Sequence, residues 1–299
     1  MTAVLREVSV PVATMWTSPE APRDLDADAV RDVPDAGSWT ASMGPETRLG
    51  LHGRTLTQLL LGEPVRVLED QGAWLRVAAP WQSAAAHDAG YPGWVRAAHL
   101  GEPVAASTGT VDVVTCSAPC MVDGGRPVEL SFGTRLAVVA SVGDRDVRVL
   151  LPGGRSGTLP VASVRLSDPD RTVDTVDVAG MFLGLRYLWG GTSAWGLDCS
   201  GLVHLVLRSQ GVAVPRDASD QAVSDLVEPV PLDEVRRGDL YFFARPGERI
   251  YHVGFASRPV QSDGTRWMLH APEGGGLIED APLAPHRVET LVSAARVRR

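Results

Sequence analysis

Apolar and polar residues alternate in short segments over the first half of the chain, after an opening stretch of different texture. Residues 1–45 are interrupted by proline and rich in aspartate and alanine, which predicts short turns and no long regular element. From about residue 49 the pattern has a period of two, which is typical of half-buried strands. The predicted strands are 64–69, 73–77 and 91–95. Short strands with Gly and Pro between them indicate a small all-β barrel.

The same alternation returns over residues 108–168. The alternating segments are 110–114, 134–139 and 146–150, and the Gly-containing turns are 124–125, 143–144 and 153–154. This repetition predicts a second, smaller β-barrel in tandem with the first. The two barrels are expected to share an architecture, although their residues do not match closely.

The last third of the chain changes to helical spacing. A helix is predicted over 173–185, followed by a Gly-rich loop over 190–201. A second helix is indicated by Leu202, Val203, Val206 and Leu207, and it ends at Gly211. The predicted strands after it are 239–243, 252–256 and 267–270. Helices followed by antiparallel strands predict an α+β domain.

Length and pattern together predict three domains. The chain has 299 residues, and domains commonly have about 100–200 residues, with small barrels shorter. We expect the N-terminal segment and first barrel over 1–105, the second barrel over 106–168 and the α+β domain over 169–299.

Charge and cysteine content narrow the function classes. A formal net charge of −8 does not favour nucleic acid or an anionic membrane as partner. No apolar run reaches the roughly 18 residues of a membrane span. The N-terminus lacks the basic and apolar regions of a signal peptide, so the sequence predicts a cytoplasmic protein. Cys116 and Cys120 are expected to be ordinary thiols, with a local disulfide as the alternative.

The third cysteine, Cys199, stands where the Gly-rich loop meets a predicted helix. A helix N-terminus offers unpaired N–H groups and the positive end of the helix dipole, and both favour the thiolate. Asp198 or Ser200 can cap this helix, and Gly201 permits close approach of another segment. Position alone leaves two readings open, a nucleophile and a buried inert thiol.

Two histidines are candidates for the partners of Cys199. A thiol nucleophile needs a base, and the base needs a third polar group that fixes its tautomer. His252 and His270 lie on neighbouring predicted strands and can supply both roles. The remaining histidines are expected to be structural, namely His52, His87, His99, His204 and His286. Tyr187, before the Gly-rich loop, is a candidate for an oxyanion contact, and Tyr91 stands out in the Gly-Tyr-Pro-Gly-Trp loop of the first barrel, although packing alone also explains both.

Several motifs of the last domain occur together and in order. They are Tyr187-x-Trp189-Gly190-Gly191, Asp198-Cys199-Ser200-Gly201, Pro215-Arg216-Asp217 with Gln221, Arg237-Gly238-Asp239-Leu240 and His252-Val253-Gly254. This set resembles the NlpC/P60 family of cell-wall peptide hydrolases, which have a papain-like fold. The resemblance implies Cys199 as nucleophile, His252 as base and His270 as third polar residue. An insertion at 258–266 makes the gap between the two histidines long for the family.

The N-terminal part resembles a more specific group. Residues 12–16, 57–63 and 90–94 are similar to the first bacterial SH3 (SH3b) domain of YkfC-type γ-D-glutamyl-L-diamino acid endopeptidases. Such enzymes cleave between γ-D-Glu and meso-diaminopimelate or Lys in murein peptides that have a free N-terminal L-Ala. The resemblance implies a murein tripeptide or tetrapeptide as substrate, bound by Tyr91, Asp198, Ser200 and Ser219, and a role for Tyr187 beside the nucleophile. No metal or organic cofactor is expected, because the thiolate is itself the nucleophile.

One position departs from the resemblance. An acidic residue of the first SH3-like domain is expected to meet the substrate's amino group, and Leu56 occupies the place where we look for it. Amine recognition is then left to Asp198.

Two other functions stay open on the sequence. A Cys–His amidase or acyltransferase acting on another substrate would use the same residue pair, and a panel of γ-glutamyl, muramyl and lipid substrates separates it. A non-catalytic SH3b protein that binds the cell wall would sediment with sacculi without turnover. The presence of Cys199, His252 and His270 together favours the peptidase.

Overall fold

The computed structural model describes residues 4–104, 109–142, 144–166, 173–274 and 276–298. The predicted domain boundaries at 105–106 and 168–169 lie outside these residues and stay predictions. None of the helices in the described part of the chain is long and apolar enough to cross a membrane.

The first domain is a seven-stranded antiparallel sheet with short helices inserted between its second and third strands. The strands are β1 (Leu5–Val8), β2 (Val12–Trp16), β3 (Thr55–Leu60), β4 (Pro64–Asp70), β5 (Trp74–Ala79), β6 (Tyr91–Arg96) and β7 (Leu100–Gly101), and the helices are α1 (Ala27–Val30), α2 (Ala36–Ser42) and α3 (Pro45–Leu49). Their order in the sheet is β3-β2-β6-β5-β4-β1-β7. The three predicted strands are confirmed as β4, β5 and β6.

The second domain repeats this arrangement. Its strands are β8 (Thr110–Val113), β9 (Ser117–Val122), β10 (Val128–Ser131), β11 (Arg135–Val142), β12 (Asp146–Leu151), β13 (Arg155–Pro160) and β14 (Val164–Leu166). Their order is β10-β9-β13-β12-β11-β8-β14, so each strand has the same sheet position as its counterpart seven strands earlier. Alternate residues face the core, as in β12, where Val147, Val149 and Leu151 are buried. The tandem repetition predicted from the alternation is confirmed in topology.

The third domain places helices against a six-stranded antiparallel sheet. Its helices are α4 (Thr175–Gly180), α5 (Cys199–Arg208), α6 (Ala218–Gln221) and α7 (Pro285–Thr290), and its strands are β15 (Thr192–Ser193), β16 (Gly196–Leu197), β17 (Val227–Val230), β18 (Leu240–Ala244), β19 (Ile250–Ala256), β20 (Trp267–His270), β21 (Glu279–Pro282) and β22 (Leu291–Val297). The main sheet has the order β17-β22-β18-β19-β20-β21, and β15 pairs with β16. The predicted α+β domain is confirmed, and α5 packs on β19 at its centre.

One predicted helix is shorter than expected. The helix predicted over 173–185 extends only over α4, from Thr175 to Gly180. Asp174 caps its start, since its carboxylate accepts hydrogen bonds from the N–H groups of Val176 and Asp177. Gly184 has φ +80°, a backbone conformation that ends helices, and a helix interior disfavours glycine by about 1 kcal/mol. The helix therefore stops before the apolar pattern does.

The core of the third domain extends into both preceding domains, which also have cores of their own. Val12 and Leu60 of the first sheet and Phe132 of the second pack into the apolar cluster that contains Leu202 and Val253 of the third. Polar contacts reinforce this packing: the Thr55 hydroxyl donates to the carbonyl of Trp189 at 2.9 Å, the Ser193 hydroxyl donates to Gln58 at 2.8 Å, and Arg208 pairs with Glu63 at 2.6 Å. The backbone N–H of Ala194 donates to Ser131 of the second domain at 2.9 Å. The loop before Cys199 is thus held by both preceding domains.

Candidate active site

Cys199 is the first residue of α5, where the Gly-rich loop ends. Asp198 is the N-cap, and its carboxylate accepts hydrogen bonds from the N–H groups of Gly201 at 2.6 Å and Gly190 at 2.9 Å. A Cβ at Gly201 would collide with the carbonyl oxygen of Gly191, so this close packing of loop on helix requires glycine. The predicted loop-to-helix position of Cys199 and the capping by Asp198 are confirmed.

The carboxylate of Asp198 is also paired with a buried cation. Arg216 donates to its two oxygens at 3.0 and 2.6 Å, and to the Ser200 hydroxyl at 2.9 Å. The same guanidinium donates from Nε to the hydroxyl of Thr57 in β3 at 2.8 Å. Asp198 is therefore committed to holding the helix start and Arg216. This changes the expectation that Asp198 alone meets the substrate's amino group.

The structure brings His252 and His270 together on neighbouring strands. His252 Nε2 lies 2.8 Å from His270 Nδ1 across the β19–β20 pair. The sulfur of Cys199 is within hydrogen-bonding reach of the backbone of Val253, so the thiol lies beside the strand that carries His252. Because His270 takes Nε2 of His252, Nδ1 is the nitrogen left for the thiol. Among the described residues this Nδ1 makes no hydrogen bond of good geometry, and the carboxylate Oε2 of Glu273 lies 3.1 Å from it.

Burial disfavours the charged form of both the thiol and the imidazole. Burial, together with the carboxylate of Asp198, raises the pKa of the Cys199 thiol to about 12. Burial, with the charge of Arg287, holds the pKa of His252 well below its usual range. Desolvation therefore opposes the stabilisation of the thiolate that the helix N-terminus offers. The thiolate then forms by transfer of the thiol proton to His252.

Cys199 lines a pocket together with other predicted site residues. The pocket has a volume of about 390 Å³, within the range of small-ligand sites. Its lining includes every predicted substrate or support residue, that is Tyr91, Tyr187, Asp198, Ser200 and Ser219. Tyr187 is buried, and its pKa is raised well above its usual range by burial and by the neighbouring Cys199. A wider groove of about 1130 Å³ shares Leu56, Tyr91 and Ser219 with this pocket.

A residue that sequence reasoning passed over lies at the roof of the pocket. The hydroxyl of Tyr91 donates to both carboxylate oxygens of Asp217, at 3.0 and 2.9 Å. Asp217 is the N-cap residue of α6, but its side chain makes no capping hydrogen bond and is turned to Tyr91 instead. Burial raises its pKa, although Arg216 lowers it. The sequence signal was present, because Asp217 belongs to the Pro-Arg-Asp motif, but its partner is 126 residues away.

The other histidines divide into two groups. His204 is buried on α5, bonds the carbonyl of Val214 at 2.7 Å and has its pKa lowered to about 3 by burial, as expected of a structural residue. His99 is buried too, 2.8 Å from the carbonyl of Arg31. His52 differs from the expectation: it stands edge-on to Trp189 at 4.3 Å between ring centroids and lines the Cys199 pocket. Only its place in the fold, in the loop before β3, reveals this.

No group of three or more His, Cys, Asp or Glu residues in the described part of the chain is arranged to hold a metal ion. Cys116, Cys120 and Cys199 are all free thiols. The site chemistry that the geometry offers is that of a thiol, two histidines and the polar groups around them.

Comparison with known proteins agrees with this geometry. The NlpC/P60 family model matches residues 184–296, and a bacterial dipeptidyl-peptidase SH3 domain model matches residues 51–100. The gamma-D-glutamyl-L-lysine dipeptidyl-peptidase of Bacillus subtilis is 33% identical, and the match covers 95% of this chain and 96% of that protein. The protein of the same name from Bacillus cereus is 30% identical, covering 97% of this chain and 90% of that protein.

A solved structure extends the match to the whole fold. The crystal structure of an NlpC/P60 family protein from Bacillus cereus superimposes with a TM-score of 0.90 at 30% identity, covering 98% of this chain and 99% of that one. The predicted fold class, two SH3-like domains followed by a papain-like α+β domain, is confirmed. The chain therefore belongs to the NlpC/P60 family of cysteine peptidases.

Proposed function

We propose that this enzyme hydrolyses the bond between γ-D-Glu and the diamino acid, meso-diaminopimelate or Lys, of murein tripeptides or tetrapeptides with a free N-terminal L-Ala. The observation that carries the proposal is the pocket that Cys199 lines together with Tyr91 and Asp217, next to the strand that carries His252 of the His252–His270 pair. The relatives named gamma-D-glutamyl-L-lysine dipeptidyl-peptidase support the substrate class.

Acylation begins when His252 Nδ1 takes the proton of the Cys199 thiol. The thiolate attacks the γ-carbonyl carbon of the D-Glu residue, and the carbonyl electron pair moves to oxygen. Tyr187, next to the sulfur, is assigned to donate a hydrogen bond from its hydroxyl to that oxyanion. As the intermediate collapses, the C–N bond breaks and His252 gives its proton to the departing nitrogen. The product is a thioester on Cys199 and the free diamino acid.

Deacylation uses the same histidine in reverse. His252, again neutral, takes a proton from a water molecule that attacks the thioester, and the dipeptide L-Ala-γ-D-Glu leaves as Cys199 recovers its proton. His270 keeps the ring of His252 in place through the 2.8 Å contact with Nε2. His270 is assigned as the positioning residue of the pair, and its own pKa is lowered to about 3 by burial, so it acts as a neutral partner.

The amino group of L-Ala is assigned to Asp217 and Tyr91. Asp198 already holds Arg216 and two backbone N–H groups, and Leu56 brings no charge to the pocket. Burial raises the pKa of Asp217, and an ammonium ion beside it would offset that cost. The α-carboxylate of D-Glu is assigned to the hydroxyl of Ser219, since the hydroxyl of Ser200 is engaged by Arg216 and Asp198.

The test compares four peptides with wild type and variants. The substrates are L-Ala-γ-D-Glu-meso-diaminopimelate, its Lys analogue and the N-acetylated form of each. Wild type is expected to release the diamino acid from the free-amine peptides, and C199A from none. Continued release by C199A would refute the mechanism, and release from muramyl or lipid amides alone would favour the amidase alternative.

The amine assignment has its own variant. D217N is expected to raise KM for the free-amine peptides by about 10- to 100-fold, the equivalent of one charge-assisted hydrogen bond, and to leave the N-acetylated peptides unchanged. D220N is the matched control, because Asp220 is three residues further into α6 and bonds the N–H of Ala85 instead of Tyr91. Equal effects of D217N on free and acetylated peptides would reassign the amine site.

Biological role and location are part of the same proposal. We place the enzyme in the recycling of murein peptides, in the cytoplasm. Fractionation of cells with an antibody to the protein tests the location. Accumulation of the tripeptide in the cytoplasm of a deletion strain tests the role.

A further inference from the structure

A carboxylate that the mechanism above does not use lies beside the catalytic histidine. Oε2 of Glu273 is 3.1 Å from Nδ1 of His252, at the start of the segment that joins β20 to β21. An ion pair with Arg287 of α7 holds this carboxylate in place. The side chain of Glu273 is 31% exposed, whereas His252 is fully buried, so the carboxylate reaches the ring from the solvent side.

The nitrogen that Glu273 approaches is the one that transfers protons. Nε2 of His252 is engaged by His270, which leaves Nδ1 to take the thiol proton and pass it on to the leaving nitrogen. A proton transfer requires the leaving nitrogen to be within about 3 Å of Nδ1. Both that nitrogen and the carboxylate of Glu273 are therefore neighbours of one atom.

Without Glu273, a positive charge on a leaving nitrogen close to Nδ1 of His252 would be costly. Arg287, His286 and His270 all act on the His252 ring as positive or potentially positive groups. Asp198 is the other acidic group near the sulfur, and it is neutralised by Arg216. Glu273 is the carboxylate that faces this point from the β20–β21 side, and its charge also acts on Cys199 and Tyr187.

We propose that the carboxylate of Glu273 receives the leaving amine: it accepts a hydrogen bond from the nitrogen of the diamino acid as that nitrogen is protonated and expelled. The inference rests on the proposed function and adds a residue on the leaving-group side of the cleft. Arg287 is the positioning residue that fixes the carboxylate, through its ion pair and its hydrogen bond to the Tyr251 hydroxyl at 3.2 Å.

The step balances without a further reactant. His252 gives one proton from Nδ1 to the amide nitrogen, the C–N bond electrons stay on that nitrogen, and the carbonyl re-forms on the thioester. The leaving group is an amine with two hydrogens, which takes a third from water to become the α-ammonium of the free amino acid. Glu273 accepts a hydrogen bond throughout and is itself not protonated. Its contact is weak with the uncharged amide and strong with the developing cation, which is the condition for lowering a barrier.

The experiment varies the charge on the leaving nitrogen. An alkylamine must be protonated before the C–N bond breaks, whereas p-nitroaniline leaves with little positive charge. We compare L-Ala-γ-D-Glu-L-Lys with L-Ala-γ-D-Glu-p-nitroanilide. E273Q is expected to lower kcat/KM for the Lys peptide by about 10- to 100-fold and for the anilide by less than about threefold. E279Q is the matched control: Glu279 lies 3.4 Å from Nε2 of His270, on the other histidine, so the ratio of the two rates should stay that of wild type.

A second readout does not depend on the anilide being a substrate. Free lysine should inhibit wild type more strongly than Nα-acetyl-lysine, and E273Q should abolish this difference. Equal losses on both substrates, or an inhibition difference that persists in E273Q, overturns the inference and leaves the proposed function intact. If wild type cleaves none of the γ-D-Glu peptides, the proposed function itself fails, which is a separate result.

Discussion

Replacement of Arg216 by methionine should destabilise the protein more than any change to a surface ion pair. The guanidinium is 1% exposed and the Asp198 side chain 10%, so neither charge is solvated by bulk water. Arg216 donates to both oxygens of Asp198, and to the hydroxyls of Ser200 and Thr57. R216M removes all four hydrogen bonds and leaves the buried carboxylate of Asp198 without the Arg216 cation.

The magnitude follows from what is left behind. Removal of one partner of a buried ion pair commonly costs about 3–5 kcal/mol, because the remaining charge is uncompensated. The carboxylate of Asp198 keeps its bonds from Gly201 and Gly190, which places the expected loss in the lower half of that range, about 3–4 kcal/mol. D198N, which changes the other member of this ion pair, leaves the charge of Arg216 without its Asp198 partner. The double variant D198N/R216M has neither of the two charges.

The assay is denaturant unfolding of the four proteins that form this double-mutant cycle. Because the charges compensate each other, the double variant should lose less than the sum of the single losses, by about 2–3 kcal/mol. R148M is the control, since Arg148 and Asp123 form an ion pair on the second domain with both side chains more than 40% exposed, and its loss should be below about 1 kcal/mol. Additive losses within about 0.5 kcal/mol would refute the compensation argument.

Two further changes test other features of the structure. G201A should destabilise by more than about 2 kcal/mol, because its Cβ would collide with the backbone carbonyl of Gly191, and the measurement is again denaturant unfolding; an unchanged midpoint would contradict the packing of loop on helix. His204 is neutral in the folded protein down to a pKa of about 3, against 6.5 as its ordinary value. The unfolded chain therefore binds a proton that the folded chain excludes, and stability falls as pH drops from about 6.5 towards 3, by about 1.4 kcal/mol per unit for this residue. H204N should lower the slope of unfolding free energy against pH by the equivalent of one proton. An unchanged slope would show that His204 does not contribute to the pH dependence of stability.

Alternation along the sequence predicts strands that have one exposed face, but it gives no signal for β2, which has none. β4, β5 and β6 alternate and were predictable, whereas all five residues of β2 are buried. A strand covered on both faces loses its period of two, so alternation is not a signal for it. β22 was missed for a different reason: its two alanines have weak strand preference, and pairing with β18 and β17 makes it a strand.

The chemistry of the site was predictable to the extent that it lies in short motifs. Cys199 with its cap Asp198, and the His252 and His270 strands, were located from local sequence. Glu273 is a single acidic residue whose partner lies on another strand, so no local pattern marks it. Asp217 lies in the Pro215-Arg216-Asp217 motif, but its partner Tyr91 is 126 residues away, so the motif does not reveal this contact. The raised pKa of the Cys199 thiol could not be predicted from the sequence pattern either, because burial causes it, whereas the pattern shows only the helix N-terminus.

Arg216 makes the nucleophile and the roof of the pocket one hydrogen-bonded unit. Its guanidinium joins Asp198, the cap of the Cys199 helix, to Thr57 of the first domain, and its backbone N–H donates to the carbonyl of Ser83 at 3.0 Å. The next residue, Asp217, then meets Tyr91 of the same domain. The distance from sulfur to roof is therefore set by one pair of adjacent residues. The proposed cleavage of a dipeptide from a free amino end requires such a fixed distance, and the contacts of Arg216 and Asp217 with the first domain supply it.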